Sequence, residues 1–139
     1  MPRPKTIKST ISGTSAIGRR KRSTASVTLL PGKGEVLINK KVIEIYFPDA
    51  RQRKAFSRPF EITETVGQFT THAQVRGGGK TGQYQAVLLA IARALVKIKP
   101  ETKKILRAQG FLTRDPREKE RRKVGTGGKA RRQKQSPKR

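Results

Sequence analysis

The sequence predicts one α+β domain that carries a long basic tail. Apolar residues alternate with polar ones over 24–29 and 69–75, which is typical of strands with one buried face. An apolar stripe at helical spacing over 84–98 predicts an amphipathic helix. The last nineteen residues hold nine Lys or Arg and no acid, so they cannot bury enough apolar surface to form a core.

The formal net charge of +25 over 139 residues makes nucleic acid the leading partner. A membrane surface is the weaker alternative, because no basic amphipathic helix stands out. The absence of cysteine removes disulfides and thiolate metal sites and fits a reducing compartment. No apolar run approaches transmembrane length. The basic, acid-free N-terminus is also compatible with an organellar transit peptide.

Charge and periodicity divide the chain into three parts. Residues 1–17 show no periodicity and are predicted to form a disordered or extended basic arm. Residues 18–113 hold the periodic segments and six of the acids, and are predicted to be the globular domain. Residues 114–139 are predicted to be an extended basic tail that becomes ordered on a polyanion.

The globular part opens with a basic cluster over 18–22 at the entrance to the first strand, interpreted as a phosphate contact in preference to a solvated lead-in. That strand covers 24–29, and a turn over 31–34 leads to a second strand over 36–38. The spacing predicts that the two strands form a hairpin.

Short helical segments are predicted between this hairpin and the next strand. A helical turn or an irregular packing segment covers 42–47, and a short helix covers 49–56 with Pro48 ahead of it. Pro59 opens another segment, in which Ile62, Val66 and Phe69 have helical spacing. The next strand, 69–75, places the only histidine, His72, on its polar face, where it is expected to be an ordinary surface residue.

The C-terminal half is predicted to be mainly helical. After the helix over 84–98, a second helix begins at Pro100 and ends at Gly110. Residues 115–118, Asp-Pro-Arg-Glu, have the form of a capping box and predict a further helical turn. A fourth strand is placed only loosely, between 111 and 124.

A glycine run at 77–79 precedes Lys80 and the start of the long helix. It does not form a phosphate loop, because position 74, where that motif needs glycine, is Gln. Glycines that allow close backbone approach, with a lysine beside a helix N-terminus, can bind an anion such as a nucleic-acid phosphate. The alternative is a tight connection with no ligand.

The sequence gives no indication of an enzyme, a metal site or a cofactor. The central carboxylates are scattered, and no Ser, Cys or carboxylate stands at a useful spacing from the single histidine. Most of the few aromatic residues occupy apolar positions and are expected in the core. Binding should therefore be to phosphates and RNA shape, with little base stacking.

Eight short motifs occur in order along the chain, and as an ordered set they are highly specific. Over residues 18–139 the chain resembles small-subunit ribosomal protein nine of the bacterial type. The motifs are Gly18-Arg19-Arg20-Lys21, Val75-Arg76-Gly77-Gly78-Gly79, Gly82-Gln83, Arg93-Ala94-Leu95, Gly110-Phe111, Thr113-Arg114-Asp115-Pro116-Arg117, Glu120-Arg121-Arg122-Lys123 and Lys129-Ala130-Arg131-Arg132.

This resemblance implies a two-layer α/β sandwich in the head of the small subunit, with a mostly antiparallel sheet. It implies a left-handed βαβ crossover, an exception to the usual hand, as in the second domain of the fifth small-subunit protein. It also implies small-subunit ribosomal RNA and neighbouring head proteins as partners, and a cytoplasmic ribosome, or an organellar one. The tail would thread through RNA to transfer RNA in the peptidyl site.

The residues predicted to bind ribosomal RNA lie in the basic cluster, in the glycine run with its two flanking cations, and in the tail. They are Arg19, Arg20, Lys21, Arg22, Arg76, Gly77, Gly78, Gly79, Lys80, Arg114, Arg117, Arg121, Arg122, Lys123, Lys129, Arg131, Arg132 and Lys134. Lys138 and Arg139 are predicted to touch peptidyl-site transfer RNA. The chain departs from the common family ending Phe-Ser-Lys-Arg, because Ser136-Pro137 precedes its last two residues and no aromatic is present there.

Two other function classes compete with a structural ribosomal protein. One is an RNA-processing accessory protein or enzyme, since related α/β cores serve in such enzymes. The other is a free DNA-compacting protein. The scattered carboxylates and the failed phosphate loop argue against the enzyme, and co-sedimentation with small ribosomal subunits separates all three.

Overall fold

A computed structural model describes residues 13–122 of the chain. Four strands come first in the described chain, and the fifth strand lies between two helical segments. In chain order the elements are β1 (Thr14–Arg20), β2 (Ser23–Pro31), β3 (Val36–Ile38), β4 (Lys41–Val42), α1 (Ile43–Tyr46), α2 (Ala50–Ile62), β5 (Phe69–Arg76), α3 (Lys80–Ile98), a 3₁₀ turn (Pro100–Thr102) and α4 (Lys103–Ala108).

Within the described residues, five strands form one mixed sheet in the order β1-β2-β5-β3-β4. The pairs β1–β2, β2–β5 and β3–β4 are antiparallel, and β3–β5 is parallel. The fold is therefore α+β with a mostly antiparallel sheet, as predicted. Helices α1 and α2 lie in the connection between the parallel strands β3 and β5. The hand of that crossover stays a prediction.

Side-chain alternation along β1, β2 and β5 buries one sheet face beneath the helices and leaves the other face accessible. The core contains the inward-facing strand residues, the aromatic residues of α2 and of the segment just before it, and the buried side of α3. Its largest fully buried side chains include Phe47, Phe56, Leu29, Ile38, Ile91 and Leu95. Most aromatic residues are indeed in or against the core, and His72 is exposed, as predicted.

Strand β1 crosses helix α3 at a very short distance. A Cβ atom added to Gly18 would lie 2.0 Å from the Ala86 carbonyl oxygen and 2.7 Å from the Ala90 backbone nitrogen. Ala16 on the strand and the two alanines on the helix are all buried. Glycine and alanine at this crossing therefore bring the two backbones together, because larger side chains would hold them apart.

The predicted hairpin between β2 and β3 is wrong. Strand β5 lies between them, and β2 instead pairs with β1, which precedes it. The alternation over 24–29 indicated which face of the strand is buried, but alternation carries no information about the pairing partner. The loop after β2 is tied instead to the segment before β5, where the Gly32 N–H donates to the Gln68 carbonyl at 3.0 Å.

The predicted N-terminal arm over 1–17 also needs correction, because residues 14–17 belong to β1. Three of these four residues are small or polar, so the buried face of the strand consists of Ala16 and Gly18 and gives no clear apolar alternation. This strand was missed for that reason. The loosely placed strand between 111 and 124 is absent from its described part, 111–122.

Pro59 does not open a new segment; it lies inside helix α2, which continues to Ile62. An internal proline costs a backbone hydrogen bond and about 3 kcal/mol. Here the cost is offset by packing, since Phe56, Pro59 and Phe60 are all buried. The helical spacing proposed for 62–69 is also wrong, because a turn with Gly67 at φ +74° separates α2 from β5.

The other helix predictions are largely confirmed. Helix α1, the N-terminal part of α2 capped by the Asp49 carboxylate, and the helical segment from Pro100 all occur. Helix α3 begins at Lys80, four residues earlier than the apolar stripe indicated. The predicted helical turn at 115–118 is wrong, because no helix occurs in the described residues after Ala108.

Candidate nucleic-acid interface

The basic cluster over 18–22 is the end of a hairpin rather than the entrance to a first strand. Arg19 and Arg20 end β1, Lys21 and Arg22 form the turn, and β2 starts at Ser23. Lys21 has a φ of +51°, a conformation that few L-residues adopt. The hairpin thus projects its cations at one end of the sheet.

The glycine run packs directly on this hairpin turn. Gly77 and Gly78 have φ values of +72° and +62°. A Cβ atom on Gly77 would lie 2.7 Å from the Arg22 carbonyl oxygen, and one on Gly78 would lie 2.2 Å from the Ser23 hydroxyl. The predicted close backbone approach therefore occurs, and the approaching backbone belongs to the same chain. Gly79 has no such neighbour within 4 Å.

Polar side chains behind the glycine run fix its position. The Gln83 amide donates to the Gly77 carbonyl at 3.0 Å, and the Tyr46 hydroxyl donates to Gln83 at 2.9 Å. The Asn39 side chain bonds both backbone groups of Val75, at 3.1 and 2.8 Å. The end of β5 and the start of α3 are therefore held by a connected set of hydrogen bonds.

Lys80 turns toward helix α1 instead of the open side of the glycine run. Its ammonium donates to the Tyr46 carbonyl at 3.2 Å and lies 3.4 Å from the centroid of the Tyr46 ring. A cation over an aromatic face is stabilised by the ring quadrupole. In this conformation Lys80 stabilises the α1–α3 contact, so the predicted phosphate contact of this residue competes with an internal one.

Arg20 attaches the segment that follows the domain to the side of the hairpin. Its side chain donates to Gln85 at 2.8 Å and to the Arg117 carbonyl at 2.7 Å, and it forms an ion pair with Asp115 at 3.2 Å. Its side chain is only 12% exposed. Arg20 is thus a structural anchor whose donors are used inside the chain, which the cluster of cations in the sequence did not reveal.

Asp115 is the centre of this anchor. It accepts hydrogen bonds from the Arg117 side chain and from the Arg117 backbone N–H, and these, with the nearby Arg20 charge, hold the pKa of Asp115 well below its usual range. The same carboxylate raises the pKa of Arg117. Its bond to the Arg117 backbone N–H is the kind that caps a helix, as Asp49 does for α2, but no helix follows Asp115 in the described residues.

A second ion pair joins the same two segments, between Arg22 and Glu118 at 2.8 Å. Beside it lies a groove of about 610 Å³, here called the hairpin groove, between the β1–β2 turn, the glycine run and residues 118–122. Its lining residues are Lys21, Arg22, Gly78, Gly79, Glu118, Lys119, Glu120, Arg121 and Arg122. Five of these are cations and two are acids.

The hairpin groove brings together six residues that the sequence analysis assigned to ribosomal RNA. It adds Lys119, which was missed because an acid stands on each side of it in the sequence. Arg114 lies outside the groove and is exposed.

Arg19 and Arg76 lie on the accessible face of the sheet. The strand register places both opposite Thr24, so the three residues form one row across β1, β2 and β5. With strands about 4.8 Å apart, the backbones of the two arginines are about 10 Å apart. Both arginines are exposed. The predicted residues Lys123, Lys129, Arg131, Arg132, Lys134, Lys138 and Arg139 lie outside the described residues.

Comparison with known proteins decides the family. A profile described as Ribosomal protein S9/S16 matches residues 18–139. The chain is also 50% identical over 113 residues to the small ribosomal subunit protein uS9 of Methylacidiphilum infernorum (isolate V4), which covers 81% of the chain and 83% of that protein.

The chain belongs to the ribosomal protein S9 family. The resemblance drawn from the eight motifs is thereby confirmed, and so is the prediction of a structural ribosomal protein rather than an enzyme. Proteins of this family are components of the small ribosomal subunit, which in bacteria lies in the cytoplasm. Its function in translation gives the basic surfaces their context.

Neither a candidate metal site nor a helix that could span a membrane occurs in the part of the chain that the structure describes. Over residues 13–122, no group of three or more His, Cys, Asp or Glu side chains is placed to hold a metal ion. No helix in that range is both long and apolar enough to span a membrane.

Proposed function

We propose that the protein binds small-subunit ribosomal RNA in the subunit head through two cationic surfaces of its domain. One is the hairpin groove, and the other is the row formed by Arg19 and Arg76. The observation that carries the proposal is the hairpin groove, where cations from the β1–β2 turn and from residues 119–122 converge beside the glycine run. Lys and Arg side chains bind phosphates and release condensed counterions.

The same proposal extends to the tail over 114–139. The anchor at Arg20 holds the start of this segment at the hairpin, and the cations from Lys123 onward continue from there along RNA. Lys138 and Arg139 reach the backbone of transfer RNA in the peptidyl site. Arg139 offers a planar fork to a phosphate, and Lys138 adds a point charge. Neighbouring head proteins are the further partners.

The domain is further proposed to share the fold of the second domain of the fifth small-subunit protein. The mostly antiparallel sheet and the parallel β3–β5 pair, connected through α1 and α2, support that assignment. The crossover between β3 and β5 would be left-handed.

The proposed RNA binding is tested by its dependence on salt. With about ten phosphate contacts, the slope of log affinity for small-subunit ribosomal RNA against log salt should be about −7 to −9. Co-sedimentation of the native protein with small subunits in a sucrose gradient is the companion measurement. A slope near zero, or a protein that sediments apart from the subunits, contradicts the proposal.

The contact with transfer RNA needs a separate experiment. A chain that stops at Pro137 should fold and assemble normally, and it should release peptidyl-site transfer RNA several-fold to a hundredfold faster, by the equivalence of about 1.4 kcal/mol per tenfold change. A matched chain that keeps its full length but carries Lys134→Ala serves as the control for loss of a cation elsewhere in the tail. Normal assembly with an unchanged dissociation rate refutes the contact.

A further inference from the structure

A second groove lies on the flank of the domain, where β1 meets the C-terminal half of α3 and helix α4. It has a volume of about 930 Å³ and is here called the flank groove. Four cations line it: Arg93 and Lys97 from α3, and Lys103 and Arg107 from α4. Its lining contains no Asp or Glu among the described residues. None of these four cations was among the residues assigned to RNA from the sequence.

The two cations on α3 are held in place by the edge strand. The Arg93 guanidinium donates to the Ile17 carbonyl at 2.8 Å, and the Lys97 ammonium donates to the Ser15 carbonyl at 2.7 Å. Each bond uses one donor, while a guanidinium carries five N–H donors and an ammonium three. The bonds fix both groups at the rim of the groove with donors to spare for a ligand.

These same bonds disfavour one class of partner. A strand of another protein added to β1 would use the outward N–H and C=O groups of this edge, and side chains of α3 already bond the carbonyls of Ser15 and Ile17. Strand addition would therefore compete with Arg93 and Lys97, and recognition of a ligand by side chains is favoured.

The two cations on α4 face the groove from the opposite side. Lys103 and Arg107 are four residues apart, so they lie on one face of the helix, and both are exposed. The ion pairs of the described residues involve Arg20, Arg22 and Arg117, not these side chains. Four cations in a lining without acids favour an anionic ligand with several charges, and hydroxyls of Ser15, Ser26 and Thr113 in the same lining can bond phosphate oxygens or ribose hydroxyls.

The flank groove is separate from the hairpin groove. Gly79 caps the N-terminus of α3, and Arg93 and Lys97 lie fourteen and eighteen residues further along. At 1.5 Å per residue, the two grooves are about 20–27 Å apart along this helix. One phosphate cannot occupy both.

We infer that the flank groove is a second binding site for the phosphate backbone of ribosomal RNA, formed by Arg93, Lys97, Lys103 and Arg107. The inference rests on the proposed RNA-binding function and extends it to a surface on the opposite end of α3. Two RNA segments, or two parts of one segment, are then held about one helix length apart.

Binding to naked small-subunit ribosomal RNA tests the inference. The variant Lys103→Ala/Arg107→Ala leaves the bonds to β1 intact and removes two phosphate contacts. Its slope of log affinity against log salt should be less steep than that of the unchanged chain by about 1.4–1.8. The control Lys33→Ala/Lys41→Ala removes the same charge from exposed positions near β3 and β4, and its slope should stay within about 0.5 of the unchanged chain.

The outcomes separate the inference from the proposed function. If the unchanged chain does not bind the RNA, the proposed function fails and the inference with it. If it binds normally and the α4 variant keeps its slope, or both variants lose slope equally, the inference alone is overturned. A defect of the α4 variant that appears only in assembled subunits, with naked RNA binding unchanged, identifies an acidic protein as the ligand and also overturns it.

Directed cleavage gives an independent readout. The chain has no cysteine, so a single introduced cysteine carries an iron chelate at one defined position. Arg107→Cys should cleave ribosomal RNA at a segment distinct from the one cleaved from Lys21→Cys in the hairpin groove. No cleavage from position 107, in subunits where position 21 does cleave, would contradict the site.

Discussion

The crossing of β1 over α3 gives the most direct test of the fold, through the substitution Gly18→Ala. The added Cβ would lie 2.0 Å from the Ala86 carbonyl oxygen, whereas ordinary contact begins at 3.4 Å. Strand and helix must therefore separate by about 1.4 Å. No side-chain rotation can relieve the clash instead, because the obstructing atoms belong to the backbone of the helix.

The expected loss of stability follows from two opposing effects. Forcing extra volume into a packed contact costs typically about 1–3 kcal/mol, and the backbone neighbour favours the upper end. Replacing glycine by alanine also reduces the entropy of the unfolded chain, which returns about 0.4–1 kcal/mol. At the upper end the net loss is about 2–2.6 kcal/mol. At about 4 °C per kcal/mol, thermal unfolding should occur about 8–10 °C lower.

Thermal unfolding followed by circular dichroism measures this effect, with Gly79→Ala as the matched control. Gly79 has φ −104°, and a Cβ atom added to it would meet nothing within 4 Å. Its alanine variant should therefore lose less than about 1 kcal/mol, mainly through the helix N-cap. If Gly18→Ala unfolds at the same temperature as Gly79→Ala, β1 does not cross the helix at this distance and the reasoning is refuted.

Three further predictions concern buried hydroxyls, the glycine run and the anchor. Thr71 is fully buried and its hydroxyl has no partner among the described residues, so Thr71→Val should raise the free energy of unfolding by about 1–2 kcal/mol. The Thr65 hydroxyl bonds Thr63 at 2.7 Å, so Thr65→Val should lower the free energy of unfolding by about 1 kcal/mol. Equal effects of the two substitutions in chemical denaturation would contradict this prediction. Gly78→Val should reduce incorporation into small subunits more than Lys33→Ala, because a Cβ at Gly78 meets Ser23 at 2.2 Å while Lys33 is exposed; equal incorporation of both variants rules the idea out. The lowered pKa of Asp115 means that its ion pair is present above the ordinary pKa of 3.8 and is lost only as pH falls through the depressed value. The carboxyl carbon resonance of Asp115 should therefore not titrate between pH 7 and about 3. A midpoint near 3.8 would show that the anchor is absent.

Much of the fold could be predicted because its strongest elements have clear periodicity. Strand 69–75 and the helix ending at Ile98 each repeat apolar residues at one spacing, and each exists. Strand β1 was missed because its buried face consists of Ala16 and Gly18, whose small size allows the close crossing with α3. The pairing of β2 was wrong because it depends on that missed strand.

The continuity of α2 shows a second limit of local reasoning. Proline inside a helix is unfavourable in isolation, so the sequence indicated a break at Pro59. The ring instead lies among buried aromatic side chains, and packing outweighs the lost hydrogen bond. Whether a helix continues through a proline therefore depends on contacts between distant parts of the chain, and the local spacing of residues does not indicate those contacts.

For the candidate site, the sequence identified the kind of residue but not its partner. Lys21, Gly78 and Arg121 were all assigned to RNA and do line one groove. Arg20 and Lys80 were assigned in the same way, yet each has bonds within its own chain. A positive charge in a basic motif looks the same in both situations, and only its distance to a carboxylate or carbonyl distinguishes them.

The positions of the last three acids in the sequence show how the folded domain is joined to the proposed RNA-binding tail. Asp115 and Glu118 pair with the hairpin through Arg20 and Arg22, and Glu120 lies at the edge of the same groove. Beyond Glu120 the sequence contains no acid. Carboxylates within the tail would repel phosphates, but at its base they attach it to the domain. Ion pairs within the chain therefore attach the described start of the tail to the domain, and we expect the acid-free sequence beyond Glu120 to bind an external anion.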